Sequence, residues 1–308
     1  MPISLRKNSA RGTVGLDIDG RFLAAVQAAD GRIERAASVE LSEGVIRDGE
    51  VADPEALAAA LKEFTAAAGL PRNVRLGVSN QQIVVRLIEL PVIEDEKERD
   101  AAVRFEAADA IAMPLDEAIL DHQIAGAGVS DGGTPRMRVV VVAARRTMID
   151  GLVTAAKAAG LKPVGIDLDA FALVRMLAEG SPADEAARVF CHLGGVTNLA
   201  VAVGSSCLFA RPLSGSSESV TAASELADEI RLSIDYYMTQ PQARPVDQVV
   251  FSGPGARDTA LLESLSDQLG LPTVVAEPLG SLDVAALDSD EDPYRYTVAA
   301  GLALGAAA

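Results

Sequence analysis

Cysteine is scarce: only Cys191 and Cys207 occur in 308 residues. Both lie in apolar, strand-like stretches, which reads as two core thiols in a reducing compartment, with a disulfide across one hairpin as the alternative. Histidine is as rare, with only His122 and His192. Four such residues in these places offer no metal-ligand spacing. No Gly-x-x-x-x-Gly-Lys loop occurs. Apolar runs break off well short of the roughly 18 residues a membrane span needs. The N-terminal MPISLRKNSAR is charged and has no apolar core, so neither a span nor a signal peptide is expected. Positive charge is in deficit: 27 Lys and Arg against 44 Asp and Glu leave a net charge of −17. That balance argues against nucleic acid and against direct adhesion to anionic lipid.

Apolar residues are plentiful at 49%, ample for buried sheets under helices, and the length suits two domains or more. The pattern is organised around two hairpins. Thr13 to Val26 is an apolar run broken by Asp19-Gly20 and then resumed, with the acid Asp17 just before the turn. Val189 to Val203 repeats the design around Gly194-Gly195, with His192 ahead of the turn. A hairpin recurring once per half predicts two related domains facing each other across a cleft.

Along the rest, residues 33–41 alternate as a third strand, Asp53 caps a helix carrying Leu57, Leu61 and Phe64, and 74–78 is a buried strand. Residues 83–90 form a strand and 94–112 a helix broken by Met113-Pro114. A strand over 118–125 follows, then a glycine-rich hairpin loop over 126–135 and a strand over 136–145 buried on both faces. A helix over 147–159, a strand over 161–168 and a helix over 169–178 capped by Asp169 close the first half. Loops at 179–184 and 214–219 bracket the second hairpin and a strand over 207–211. A long helix over 219–239 then puts Leu226, Ile230, Ile234 and Tyr237 on one face. The strand 249–251 ends in Ser252-Gly253-Pro254-Gly255-Ala256, before a helix over 258–269, a strand over 273–275 and a last helix over 297–307.

The two hairpins and the Ser-Gly-Pro-Gly-Ala loop resemble the phosphate-1, phosphate-2 and adenosine motifs of the actin-like ATPase superfamily. Within it the chain is similar to the PilM family of type IV pilus assembly proteins, itself related to the cell-division protein FtsA. The stretches Val84–Pro91, Ala102–Ala107, Pro114–Gln123, Val142–Arg145, Ala159–Arg175 and Glu229–Tyr237 carry the likeness, which spans Gly12 to Gly305. It implies an α/β, actin-like (ribonuclease H-like) two-domain fold with an inserted FtsA/PilM-type 1C subdomain and a reduced 2B region. The implied division is 12–81 plus 160–184 as domain 1A, 82–159 as the 1C insert, and 185–308 as domain 2.

The same resemblance implies a cytoplasmic protein on the inner face of the cytoplasmic membrane. It would bind the N-terminal cytoplasmic tail of a PilN-like membrane protein and so join the pilus assembly platform, with homo-oligomerisation left open. The tail would add to an exposed sheet edge or lie between the first domain and the insert. Arg86, Arg104 and Arg145 are candidate contacts there, solvated surface being the alternative.

A nucleotide site of the family type would comprise Gly15, Asp17, Asp19, Gly20 and Arg21 at the first turn, and Gly194, Gly195, Thr197 and Asn198 at the second. Gly253 and Gly255 would form the third loop, with ATP as ligand and Asp17 as a Mg²⁺ partner. Such a site needs turns that wrap phosphate with N–H groups, and carboxylates that hold hydrated Mg²⁺. Here Asp19 stands where the family has glycine, Arg21 and Phe22 replace small residues, and Ala24 replaces a lysine. His192 stands in place of a second Asp, and a neutral imidazole suits Mg²⁺ poorly. Pro254 removes one N–H. Ser214-Gly215-Ser216-Ser217 runs almost directly into the long helix, where the family carries a further segment over the nucleotide. These departures predict a scaffold that does not hydrolyse nucleotide. The alternatives are an ATP-binding or ATP-hydrolysing actin-like enzyme, or a GspL-like cytoplasmic component of type II secretion.

Overall fold

The two halves of the chain repeat one strand order. The computed structural model describes residues 13–129, 133–178, 186–213, 220–240, 243–280, 282–285, 287 and 291–305. Gly12, the loops expected at 179–184 and 214–219, and the last two residues of the helix expected over 297–307 lie outside them. In the first half β1 (Val14–Ile18) pairs antiparallel with β2 (Phe22–Ala29), and β2 with β3 (Arg32–Glu40). On the other side of β1, β6 (Asn73–Val78) and then β10 (Lys162–Leu168) add in parallel. The second half matches: β11 (Ala187–His192) pairs antiparallel with β12 (Thr197–Val203), and β12 with β13 (Ser206–Leu213). Beyond β11, β14 (Val246–Ser252) and β15 (Thr273–Val275) add in parallel. Each hairpin therefore sits at the centre of its sheet, and both turns lie at the carboxyl ends of the parallel strands, where open α/β sheets place ligands.

Helices follow from their apolar stripes. In α1 (Pro54–Ala67) Asp53 accepts from Ala56 N–H at 2.9 Å and Pro54 fills the first turn, while Leu57, Leu61 and Phe64 are buried. α3 (Arg146–Ala158) packs Ile149, Leu152 and Ala156 into the same core, against α1. A two-residue ladder of β4 (Ile46–Arg47) and β5 (Glu50–Val51) lies ahead of α1.

A three-stranded sheet in the order β7-β9-β8 intervenes, with β7 at Val84–Pro91, β8 at Ala118–Val129 and β9 at Pro135–Arg145. The valine run of β9 is buried on alternate faces. Val140, Val142 and Ala144 join the core of the first half, and Val139, Val141 and Ala143 meet Val103 and Ala107 of α2 (Glu96–Ala110). The loop expected over 126–135 is shorter than the glycines suggest, because pairing continues out to Val129 opposite Pro135. The register shifts between Ile124 and Gly126, whose φ is +145°, so glycine serves a bulge inside the strand.

The two sheets meet through α4 (Asp169–Leu177) and α7 (Thr297–Leu304), which pack on each other. α4 lies on the inward face of the second sheet, and α5 (Val220–Met238) and α6 (Thr259–Leu269) cover its outer face. α7, although last in the chain, returns to pack on β1 and β2. Its terminal carbonyls are bound by arginines of the first half: Arg175 donates to Gly301 O at 2.7 Å and Arg75 to Leu302 O at 3.2 Å. Asp167 holds Arg175 at 2.8 Å. Cations at a helix C-terminus are favoured by its dipole, and here they tie α7 to β6 and α4. Cys191 and Cys207 are free, buried thiols whose pKa burial pushes up to about 12.

Candidate functional site

The two turns are in direct contact. Asp19 leaves β1 and turns its carboxylate back over the hairpin, where Oδ1 accepts from the N–H groups of Arg21 at 2.9 Å and Phe22 at 2.7 Å. The other oxygen, Oδ2, accepts from Gly195 N–H of the second turn at 2.9 Å. The approach is tight: a Cβ on Gly195 would lie 2.5 Å from the Asp19 carbonyl oxygen and 2.9 Å from Arg21 Cγ. Gly20 takes a φ of +89°, as the first turn requires. Gly194 lies beside it, with a Cβ position 3.3 Å from Asp19 Oδ2.

Behind the turns stand two buried acids. Asp17, near the end of β1, and Asp169, the first residue of α4, are each 4% exposed. Neither Oδ1 meets a hydrogen-bond donor among the described residues. Burial above all, then the charges of Asp169 and Asp19, raises the Asp17 carboxyl well above the ordinary range. Burial likewise raises Asp169 to about 8, with Asp19 and Asp167 adding to the shift. The cap expected from Asp169 is not made: the residue is inside α4 and Leu168 occupies the cap position, with no side-chain bond to the helix end. Its sequence context carried the signal, since Ile166-Asp167-Leu168-Asp169-Ala170-Phe171 sets an acid within an apolar run with no polar loop.

His192 ends β11 with its Nδ1 3.1 Å from Ser252 Oγ, and burial lowers its pKa to about 4, so the ring is neutral. Thr197 and Asn198 open β12 and are buried. Asn198 Oδ1 accepts from the Ser79 hydroxyl just past the end of β6, a second polar tie between the halves. Beside that tie the space left is about 20 Å³, room for one water.

The third loop is occupied by protein. Gly255 N–H donates to Leu193 O at 2.9 Å, and a Cβ on Gly253 or Gly255 would come within 2.8 or 2.7 Å of Leu193. These two glycines serve close packing against the second turn. Gly15, in mid-strand, serves the same purpose against α7.

The residues present do not fit a nucleotide and its Mg²⁺. The N–H groups of Arg21, Phe22 and Gly195 are engaged by Asp19. Burial raises the carboxyl nearest the expected metal position well above the ordinary range and so disfavours the carboxylate a metal ion needs, and the second position is a neutral imidazole. Among the described residues no three acidic, His or Cys side chains converge as a metal ion would require.

The candidate arginines fall in two places. Arg86 of β7 lies with its guanidinium 5.9 Å from the Tyr236 ring of α5, at a cavity of about 240 Å³ between the three-stranded sheet and the second half. Arg104 of α2 donates to Leu115 O at 3.4 Å, and Arg145 ends β9 opposite Ala118, so both lie against residues 115–118.

Two sheets of this order, joined by packed helices and facing each other turn to turn, define an actin-like ATPase fold. A family model described as type IV pilus assembly protein PilM matches residues 15–213 and 221–307. The chain belongs to that family. Among solved structures, the PilM–PilN type IV pilus biogenesis complex contains a chain similar to it, with a TM-score of 0.82 at 25% identity over 96% of this chain and 98% of that one. The cytoplasmic domain of EpsL, an inner membrane component of the type II secretion system of Vibrio cholerae, shares the fold. Its TM-score is 0.51 at 13% identity, over 95% of this chain and 93% of that one. MreB5 of Spiroplasma citri bound to ADP shares it too, with a TM-score of 0.50 at 12% identity over 96% and 95% of the two chains.

Proposed function

We propose that the chain is a scaffold of type IV pilus assembly that holds the N-terminal tail of a PilN-like inner-membrane protein on the cytoplasmic side, and works without hydrolysing nucleotide. The whole-length likeness to the chain of the PilM–PilN complex carries this reading. No helix among the described residues is long and apolar enough to cross a membrane, so attachment through a partner suits the chain. Residues 12–81 with 160–184, 82–159 and 185–308 are taken as its three units, with α3 anchoring the middle one to the first. Arg104 and Arg145 are taken as tail contacts, since both are exposed beside one segment of the insert, while Arg86 is engaged at the seam with the second half.

Isothermal titration with a synthetic N-terminal peptide of the PilN-like protein from the same genome tests this. Saturable binding in the range of roughly 1–100 µM is expected. Replacing Arg104 and Arg145 together by Glu is expected to weaken it about tenfold or more, with Arg86→Ala near the parent. Absence of heat at several-fold higher peptide concentration removes the partner assignment. Equal affinity in the double variant returns the two arginines to plain surface.

A further inference from the structure

Three backbone N–H groups converge on one carboxylate: those of Arg21 and Phe22 from the first turn, and that of Gly195 from the second. Asp19 and Gly195 are 176 residues apart in the chain. Converging backbone donors of this kind make an anion site. The geometry points to Asp19 as the built-in occupant of that site: its carboxylate takes the place of a phosphoryl group, holds the two turns shut, and leaves the donors unavailable to a free ligand. With the carboxylate removed, the same donors would take the terminal phosphoryl group of a nucleoside triphosphate or of inorganic polyphosphate.

Three further observations agree. The turns touch so closely that a Cβ on Gly195 would lie 3.0 Å from Asp19 Oδ1, so a phosphate cannot enter without parting them. Asp17 and Asp169 are buried under the turns, so a phosphate entering there meets acids in place of further donors. The residue after the turn is also held, with the Arg295 guanidinium 4.2 Å from the centre of the Phe22 ring.

The rival explanation is that Asp19 is a local turn residue whose contact with Gly195 is incidental. Asparagine separates the two. It has one acceptor oxygen, which can keep the two bonds within the first turn, and it has none left for Gly195. Hydrogen exchange is therefore followed at the Gly195 amide in the parent and in Asp19→Asn. Exchange about tenfold faster or more in the variant, with the first turn still protected, is expected. Unchanged exchange at Gly195 overturns the clasp.

Asp19→Gly then tests the anion site directly by calorimetry with ATP·Mg²⁺ and with inorganic tripolyphosphate. Binding of either to folded Asp19→Gly, at least about tenfold tighter than to the parent and with Gly195 protection restored, is expected. Failure of both ligands to bind the folded variant, or equal binding by the parent, overturns the proposal. Triphosphate binding with no response to tripolyphosphate assigns the site to nucleotides, and binding of both assigns it to phosphoryl groups in general. The PilN-like peptide is titrated into the same samples, so a failure of the scaffold reading shows separately from a failure of this one.

Discussion

An Asp169→Asn variant melts at a higher temperature than the parent near pH 8, and the difference shrinks toward zero near pH 4. In the folded chain burial, aided by Asp19 and Asp167, raises the Asp169 carboxyl from an ordinary 3.8 to about 8. Below the lower value both the folded and unfolded chains hold the proton, and the buried acid costs nothing extra. Between the two values the unfolded chain has released the proton and the folded chain keeps it, so stability falls as pH rises through this window. Above the upper value the cost is complete and levels off.

At pH 7 about three pH units of the window have been crossed, which corresponds to about 4 kcal/mol. For a chain of this length that is on the order of 10 °C in melting temperature. Asparagine has nearly the same shape and no proton to lose, so it escapes the cost. Asp17→Asn moves in the same direction, since its carboxyl is raised by burial and by Asp169. The double variant gains less than the sum, because each single change already relieves the repulsion between the two acids. Calorimetric melts of parent and variants across this pH range check the prediction. Parallel curves for parent and Asp169→Asn would mean that the acid is not held protonated by the fold.

The architecture was legible because its signals are local and strong. Two apolar runs around Asp19-Gly20, the same around Gly194-Gly195, and the alternating valines of β9 each specify a strand whose burial needs no knowledge of the rest. Asp53 before Pro54 marks a helix start, and its side chain makes the expected hydrogen bond. What could not be read was the meeting of parts distant in the chain. Asp19 stands where glycine is expected, and its sequence position shows charge next to a phosphate position. It does not show that the charge is turned onto Gly195, because that contact exists only after both halves have folded. Asp169 is a different case, in which two local rules compete. Asp before a helix is a cap by local rules, and only the absence of a loop between β10 and α4 puts it inside the helix and against the cleft floor. The glycines of the third loop read as a nucleotide loop, yet the space beside them is filled by Leu193, a residue of the other turn.

The same distinction governs Gly15, and replacing it separates two meanings of a glycine near a turn. A phosphate-binding glycine accepts alanine with a loss of ligand affinity and little change in stability. Gly15 faces α7 instead: a Cβ there would run into the Ala299 carbonyl oxygen, lie 2.5 Å from the Ala303 nitrogen and 2.8 Å from Leu302 Cβ. Two of these neighbours are helix backbone, so no side-chain rotation relieves the clash, and α7 must move off β1. That movement reaches beyond one contact, because the end of α7 is held by Arg75 and Arg175 and its packing on α4 is equally close. Gly15→Ala is therefore expected to lose about 3 kcal/mol or more, toward the upper end for overpacked cores. Chemical denaturation read by circular dichroism measures it. A variant as stable as the parent would show that α7 does not seat on β1 in solution.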